Sequence, residues 1–406
     1  MNILFLSWGV LPQKLGGLEK VTYYALKYLD LFDHNVTLII PNKTEEIERY
    51  TESKLKRSKI IGVNLDISKF GIYPDYKSLI NAYKKSIFSY FRNVIDYKKL
   101  VMEYAERVLY LVDNLNIKFD VIYSYDWLTF PAALELKKKY GKPIVWHVHS
   151  TAYDRVGGNP DNLKYLIDLD YGIELKACEE SDKIIAVSNR VKDILVTYYN
   201  CNPNKIEIVY NAPDDNSVIG KRNWYFIKEH YKIVLYLGRM SMHKGPDWLL
   251  KAAKMVLEKR RDVLFLFAGT GEMLEQLIKM AADLGIFENT IFLGRVSDEE
   301  AEFLYDIADI FVLPSVSEPF GLTPFEALQH ETPVIISKQS GVAEVLRSAL
   351  KVDFWDVNKM ANYILALLEY DILGKYEVLN CIKEMSELSW EKSIKRIEEI
   401  MKNLFV

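Results

Sequence analysis

Residues Ile310 to Arg347 read IFVLPSVSEPFGLTPFEALQHETPVIISKQSGVAEVLR, and this stretch decides the fold. It opens on a short apolar strand, Ile310 to Leu313. A polar turn leads to a helix beginning near Gly321, and a second apolar strand follows at Pro333 to Ile336. That is half of a βαβ unit, with its turn at the carboxyl end of the first strand, where open parallel sheets bind ligands. The turn carries Glu318 and Gly321, and the helix start carries Leu322, Thr323 and Glu326. Backbone N–H groups of a first helical turn carry partial positive charge, so a diphosphate can dock there, and two carboxylates beside it would accept hydrogen bonds from sugar or ribose hydroxyls. Thr323 to Glu326 also spells a capping box, T-x-x-E, with Pro324 in the tolerated first turn, so Glu326 could equally serve only the helix end.

Around this stretch the chain is long enough for two domains: 406 residues, half of them hydrophobic. A net charge of −4, with cations scattered among acids, argues against a nucleic-acid partner. Cys178, Cys201 and Cys381 are far apart with no C-x-x-C pair, so neither a disulfide framework nor a zinc ribbon is expected, and a reducing cytoplasm fits. No apolar stretch is long enough to span a bilayer.

Working outward, Asn2 to Ser7 is an apolar strand that leads through WGVLPQKLGGLEK into a helical pattern. Strand, glycine loop and helix form a phosphate-approach arrangement in which Gly16 and Gly17 admit a ligand to the backbone, or simply make a tight turn. No G-x-G-x-x-G is present and no acid sits at the dinucleotide offset, which disfavours a Rossmann dehydrogenase. Strands are expected at Asn35 to Ile40, Asp120 to Ser124, Pro143 to Val148, Lys183 to Val187 and Lys205 to Tyr210. From Asn42 to Leu115 the pattern is longer and more helical, with aromatics and cations interleaved in YKSLINAYKKSIFSYFRNVIDYKKL. That face could grip a glycan, rest on a membrane surface, or be a solvated helix pair. After a polar, turn-rich stretch, NAPDDNSVIGKRN, the strand series restarts: KIVLYLG, VLFLFAG, TIFLG, IFVLP, PVIIS and ALKVD. The alternation calls for two parallel sheets, each with helices on both faces.

Three further constellations stand at strand ends. GRMSMHKG, Gly238 to Gly245, offers Arg239 and Lys244, two cations that could neutralise a departing pyrophosphate, although a basic loop is often only solvated surface. Gly269, Thr270 and Gly271 give a further backbone approach or a turn. His147-Val-His149 ends a buried strand with both imidazoles on one face; a metal, a packed core or a substrate-facing role are all open, and no third ligand follows. Asp168-Leu-Asp170 lies in a helical pattern where residues two apart do not share a face, so it is discounted as a metal motif. No nucleophilic serine or cysteine context appears.

Together these residues resemble the retaining nucleotide-sugar glycosyltransferases of family 4, with overlap toward glycogen and starch synthases. The likeness runs along nearly the whole chain and is weakest between Asn42 and Leu115. SEPFGLTPFEAL matches the surroundings of the family's E-x7-E motif, with Glu318 and Glu326 at its acidic positions. The resemblance implies a GT-B fold: two Rossmann-like, doubly wound parallel-sheet α/β domains facing a cleft that closes for the reaction. Residues 1–212 would form the acceptor-side domain, residues 213–388 the nucleotide-sugar domain, and 389–406 a helix packing back on the first. It implies catalytic roles for His149, Arg239, Lys244 and Glu318. His149 and Glu318 would lie against the donor sugar, and Arg239 and Lys244 would bind the diphosphate. Glu326 would hold the ribose, with Gly16, Gly17, Gly271, Gly321, Leu322 and Thr323 lining the nucleotide-sugar. Lys14 opens KLGGL, which looks like the K-x-G-G-L loop of glycogen and starch synthases. The expected reaction moves glucose from UDP- or ADP-glucose to an α-glucan, with a lipid-linked or small-sugar acceptor as the alternative. Neither metal nor cofactor is expected. A silent nucleotide-sugar sensor and a pyridoxal-dependent phosphorylase are the rival readings, and the second lacks a suitable lysine context.

Overall fold

The computed structural model describes residues 1–13, 17–52, 54–67, 87–214 and 230–405. The chain divides into two compact units, Met1–Asn211 with Trp390–Val406, and Ala212–Ser389. The first holds a seven-stranded sheet in the order β3-β2-β1-β4-β5-β6-β7. Its strands are β1 (Asn2–Leu6), β2 (Asn35–Ile40), β3 (Lys59–Gly62), β4 (Val121–Tyr125), β5 (Ile144–Val148), β6 (Lys183–Ala186) and β7 (Ile206–Ile208). All neighbours pair in parallel. Every residue of β4 and β5 is buried, as expected of strands covered by helices on both faces. β3 falls inside the stretch read as helical. It is a four-residue edge strand that starts on an exposed lysine, too short to break the helical pattern around it.

The helix Ile87–Asn114 accounts for the end of the aromatic and basic segment. It buries Leu100, Val101, Tyr104, Ala105, Val108 and Val112 at helical spacing, and the Tyr104 hydroxyl donates to the Ile39 carbonyl at 3.0 Å. Most of the expected surface, residues 68–86, lies outside the described residues. The last helix, Trp390–Lys402, packs on the helix Leu18–Leu31, with Trp390 stacked on Tyr24 at 4.8 Å. Glu398 in that helix meets His34 at 2.8 Å, Lys395 at 2.7 Å and Lys402 at 2.6 Å. These partners pull its carboxyl down to about 2 against the upward push of burial.

The second unit carries a six-stranded sheet in the order β10-β9-β8-β11-β12-β13, again all parallel. Its strands are β8 (Lys232–Leu237), β9 (Val263–Ala268), β10 (Thr290–Gly294), β11 (Ile310–Leu313), β12 (Val334–Ser337) and β13 (Leu350–Val352). The sheet order turns back between β8 and β11, so this pair marks the point where crossovers leave in opposite directions and a crevice opens at the strand ends. Ser297 and Glu300 form a full capping box at the start of the helix Asp298–Ile307, which fixes where that crossover begins. Among the described residues no helix is long and apolar enough to cross a membrane.

Candidate active site

In the second unit, the loop after β8 and the loop after β11 are tied by their backbones. The amides of Val316 and Ser317 both donate to the His243 carbonyl, at 2.9 and 3.1 Å. Gly245, at φ 64°, lets the first loop come this close, since a Cβ there would stand 2.3 Å from the Pro314 carbonyl oxygen. The consequence is a short contact between side chains from the two loops: Lys244 Nζ lies 2.5 Å from Glu318 Oε2, which the Ser315 hydroxyl also meets at 3.3 Å. The Glu318 side chain is 7% exposed and that of Lys244 26% exposed, so the carboxylate is buried while the ammonium keeps a path to solvent. Glu318 is held by its own backbone as well, donating to the Gln339 carbonyl and accepting from the Gly341 amide, each at 3.0 Å.

Arg239 shares the loop after β8 and is half-buried; its carbonyl accepts from the Tyr236 hydroxyl at 2.6 Å. Burial and the charge of Glu318 push the Tyr236 phenol well above its usual value, so it remains a donor. Gly271 sits against the same loop. A Cβ on it would come within 2.3 Å of the Met240 carbonyl oxygen, so close backbone packing alone requires glycine there.

The helix after the Glu318 turn runs Thr323–Gln329, with Leu322 as its N-cap and no side chain capping it. The capping-box alternative therefore fails, because Thr323 is already inside the helix. The Glu326 amide bonds the Leu322 carbonyl at 3.3 Å, and its carboxylate accepts from Tyr305 at 3.0 Å. Gly321 enters the helix at φ 97°, a backbone setting that favours glycine. Leu322 and Thr323 are half-exposed.

In the first unit, His149 follows β5. Its ring lies 4.1 Å from that of His147 and 4.5 Å from that of Tyr125. Nδ1 of His147 meets the Tyr123 hydroxyl at 2.7 Å, while Nε2 of both histidines is buried without a hydrogen-bond partner. Burial pushes His149 down to about 3, and burial together with the adjacent His149 takes His147 well below its usual value, so both rings are neutral at physiological pH. Asp168 and Asp170 part company: the first is exposed, and the second is buried against Arg155 at 2.8 Å. Among the described residues, no group of three or more His, Cys, Asp or Glu side chains is placed to hold a metal ion.

The structure thus brings Lys244 and Glu318 into contact, places Arg239 on the loop that carries Lys244, and sets Glu326 in the short helix that follows the Glu318 turn. Gly17 is exposed and caps the helix Leu18–Leu31 at φ −76°, a conformation that does not itself demand glycine. Lys14 and Gly16 lie outside the described residues. Tyr305, Ser315 and Tyr236 escaped the sequence reading because each sits in or beside an apolar run that reads as core.

Two family descriptions match this chain: Glycosyltransferase Family 4 over residues 15–217, and Glycosyl transferases group 1 over residues 221–379. The chain belongs to glycosyltransferase family 4. It is 28% identical over 293 residues to an uncharacterised glycosyltransferase of Methanocaldococcus jannaschii, covering 66% of this chain and 74% of the relative. It is 24% identical over 309 residues to a D-inositol 3-phosphate glycosyltransferase of Corynebacterium diphtheriae, covering 70% and 71%. Among solved structures, Anabaena HepE in complex with UDP and glucose superposes with a TM-score of 0.71 at 15% identity, over 99% of this chain and 100% of that one. Sucrose-phosphate synthase from Thermosynechococcus elongatus gives 0.69 at 16%, over 100% and 99%. At such identities these neighbours establish the fold, which is GT-B, and the family establishes a sugar-transferring enzyme.

Proposed function

We propose that this family 4 enzyme transfers glucose, with retention of anomeric configuration, from UDP- or ADP-glucose to a hydroxyl acceptor. The observation that carries the donor reading is the Lys244–Glu318 contact at the ends of β8 and β11. Each charge neutralises the other, and a diphosphate competing for Lys244 frees the Glu318 carboxylate to accept from the sugar hydroxyls. Arg239 adds a second cation for the leaving group, the Glu326 carboxylate takes the ribose hydroxyls, and the amides at Gly321, Leu322 and Thr323 face the phosphates. Neutral His149 donates to or accepts from a sugar hydroxyl. The bond between the anomeric carbon and the diphosphate oxygen breaks, the acceptor oxygen bonds to the same face, and the acceptor proton passes to the diphosphate. No metal is needed in this scheme. Activity is expected to survive EDTA, and its loss with recovery on adding back one divalent ion would refute that.

For the acceptor, the likeness of the KLGGL sequence to glycogen and starch synthases supports an α-glucan chain end. The relatives named as D-inositol 3-phosphate glycosyltransferases support a second reading, a small phosphorylated polyol or sugar. Nucleoside diphosphate release from UDP-, ADP- and GDP-sugars decides, measured with maltooligosaccharide, with inositol phosphate and with neither. Primer-dependent release with lengthening of the oligosaccharide supports the glucan, and release dependent on inositol phosphate supports the polyol. Absence of release from every donor defeats the donor assignment.

A further inference from the structure

The turn that carries His149 is held in an unusual way. Four successive backbone amides, His149 to Ala152, all donate to carboxylate side chains. His149 and Ser150 donate to Asp126 Oδ1 at 2.7 and 3.3 Å, Thr151 to Asp154 Oδ2 at 3.0 Å, and Ala152 to Glu174 Oε2 at 2.9 Å. These carboxylates come from three places in the chain: the first residue of the helix Asp126–Tyr140, directly after β4, the short helix Ala152–Arg155 and the helix Asp170–Glu180. Asp126 and Asp154 are 1% exposed and Glu174 0%. Arg155 Nη1 adds a bond to the Ser150 hydroxyl at 2.7 Å, and Arg155 is paired in turn with Asp170 and Glu174.

Asp126 is the member least explained by packing. Its backbone sits at φ 51°, in the left-handed region that costs a non-glycine residue strain. In that setting its carbonyl accepts from the Trp146 indole at 3.0 Å and its carboxylate reaches two amides beyond the end of β5. Burying carboxylates is expensive unless donors surround them; Asp154 is accounted for by the capping box it forms with Thr151 at the start of the helix Ala152–Arg155, whereas that helix start does not require Asp126. We propose that Asp126 is a positioning residue, holding the backbone of His149 and Ser150 so that the His149 ring stands in its reactive place. The proposal rests on His149 contacting the donor sugar.

The experiment is a double-mutant cycle of Asp126→Gly with His149→Ala, read as kcat and donor KM from nucleoside diphosphate release. Glycine tolerates the left-handed backbone, so the variant removes the carboxylate while relieving the strain. Asp126→Gly is expected to lower kcat at least about tenfold, the scale on which misplacing a reacting group costs rate, with little change in KM. Asp126→Asn, which keeps an acceptor oxygen, should restore most of the rate, and the loss should vanish in the His149→Ala background. Turnover near the parent value, a loss of equal size in both backgrounds, or an asparagine variant as slow as the glycine one overturns the proposal. A His149→Ala single variant with normal turnover instead removes the donor-sugar role of His149, a distinct failure. If the glycine variant does not fold, Asp126→Ala, which also lacks the acceptor oxygen, carries the test by NMR of ring-labelled histidine. The His149 signals should shift while those of His34 and His330 stay, and unshifted His149 signals overturn it.

Discussion

The His149 turn and the Lys244 loop both stand at carboxyl ends of parallel strands, yet they are built on opposite principles. Around His149 the backbone is gripped by side chains: buried carboxylates hold consecutive amides, and the group presented is a neutral ring. Around Lys244 the loops hold each other by backbone bonds made possible at glycines, and the side chains presented are charges that meet one another. The first arrangement fixes the place of a group whose charge does not change. The second keeps charge available for exchange, since a half-exposed lysine can trade a carboxylate for a phosphate at modest cost.

If the contrast holds, the largest effect should come from the charge side. Lys244→Ala is expected to lower kcat by about 10² or more, the scale of losing one preorganised stabiliser of a leaving group, with the fold retained because the loop's own bonds are backbone bonds. Near-normal turnover would assign Lys244 to holding Glu318 alone. The glycine side of the same region should respond in stability. Gly269 lies at φ 131°, with the Gly238 carbonyl oxygen 2.0 Å from where a Cβ would be, so Gly269→Ala should cost at least about 1–3 kcal/mol in urea unfolding. Gly141, at φ 64° with nothing within 4 Å, makes the control: alanine there meets only the backbone penalty.

The neutral side should show itself in pH. His147 and His149 are held below the 6.5 of a free imidazole, His149 down to about 3. The unfolded chain therefore binds protons that the folded chain refuses. The contribution of the two neutral rings is complete above about pH 6.5 and is lost as pH drops toward 3, by up to about 1.4 kcal/mol per unit for each ring. Burial pushes Glu174 up to about 7 and Glu377 up to about 8, so those carboxyls act in the opposite sense and the rings are read by difference: the urea midpoint of His147→Phe relative to the parent should rise from pH 7 to pH 4. An unchanged difference would mean that the ring is already protonated in the folded protein.

What could be read without the structure follows the same division. The strands of both sheets were legible because parallel strands buried on both faces are nearly continuous apolar runs bounded by glycine and proline. β3 was not, being a short edge strand beside long helical patterns. Glu318, Glu326 and Lys244 stood out because charges at strand ends are conspicuous, but only geometry could show that Thr323 and Glu326 form no capping box, Leu322 being the N-cap. Asp126 was illegible: its signal is a lone acid after a strand, and its meaning lies in a left-handed backbone and in amides more than twenty residues away.

The smallest expected effect lies where the two principles meet. Glu326 is a charge on a short helix, yet the Tyr305 hydroxyl, 3.0 Å from its Oε2, orients it much as Asp126 orients His149. Burial and the carboxylate together push the Tyr305 phenol far up, so it stays a donor throughout the working range. Tyr305→Phe removes that one hydrogen bond and leaves Glu326 half-exposed. A single bond to a charged acceptor is worth about 1.5–3 kcal/mol when fully buried and less at a half-exposed carboxylate, so donor KM should rise only about threefold to tenfold. If Glu326 holds the ribose as proposed, equally before and during the reaction, kcat should hold steady. A fall in kcat with KM unchanged would instead place Glu326 at the reacting centre, and would make this corner of the second unit resemble the His149 turn rather than the Lys244 loop.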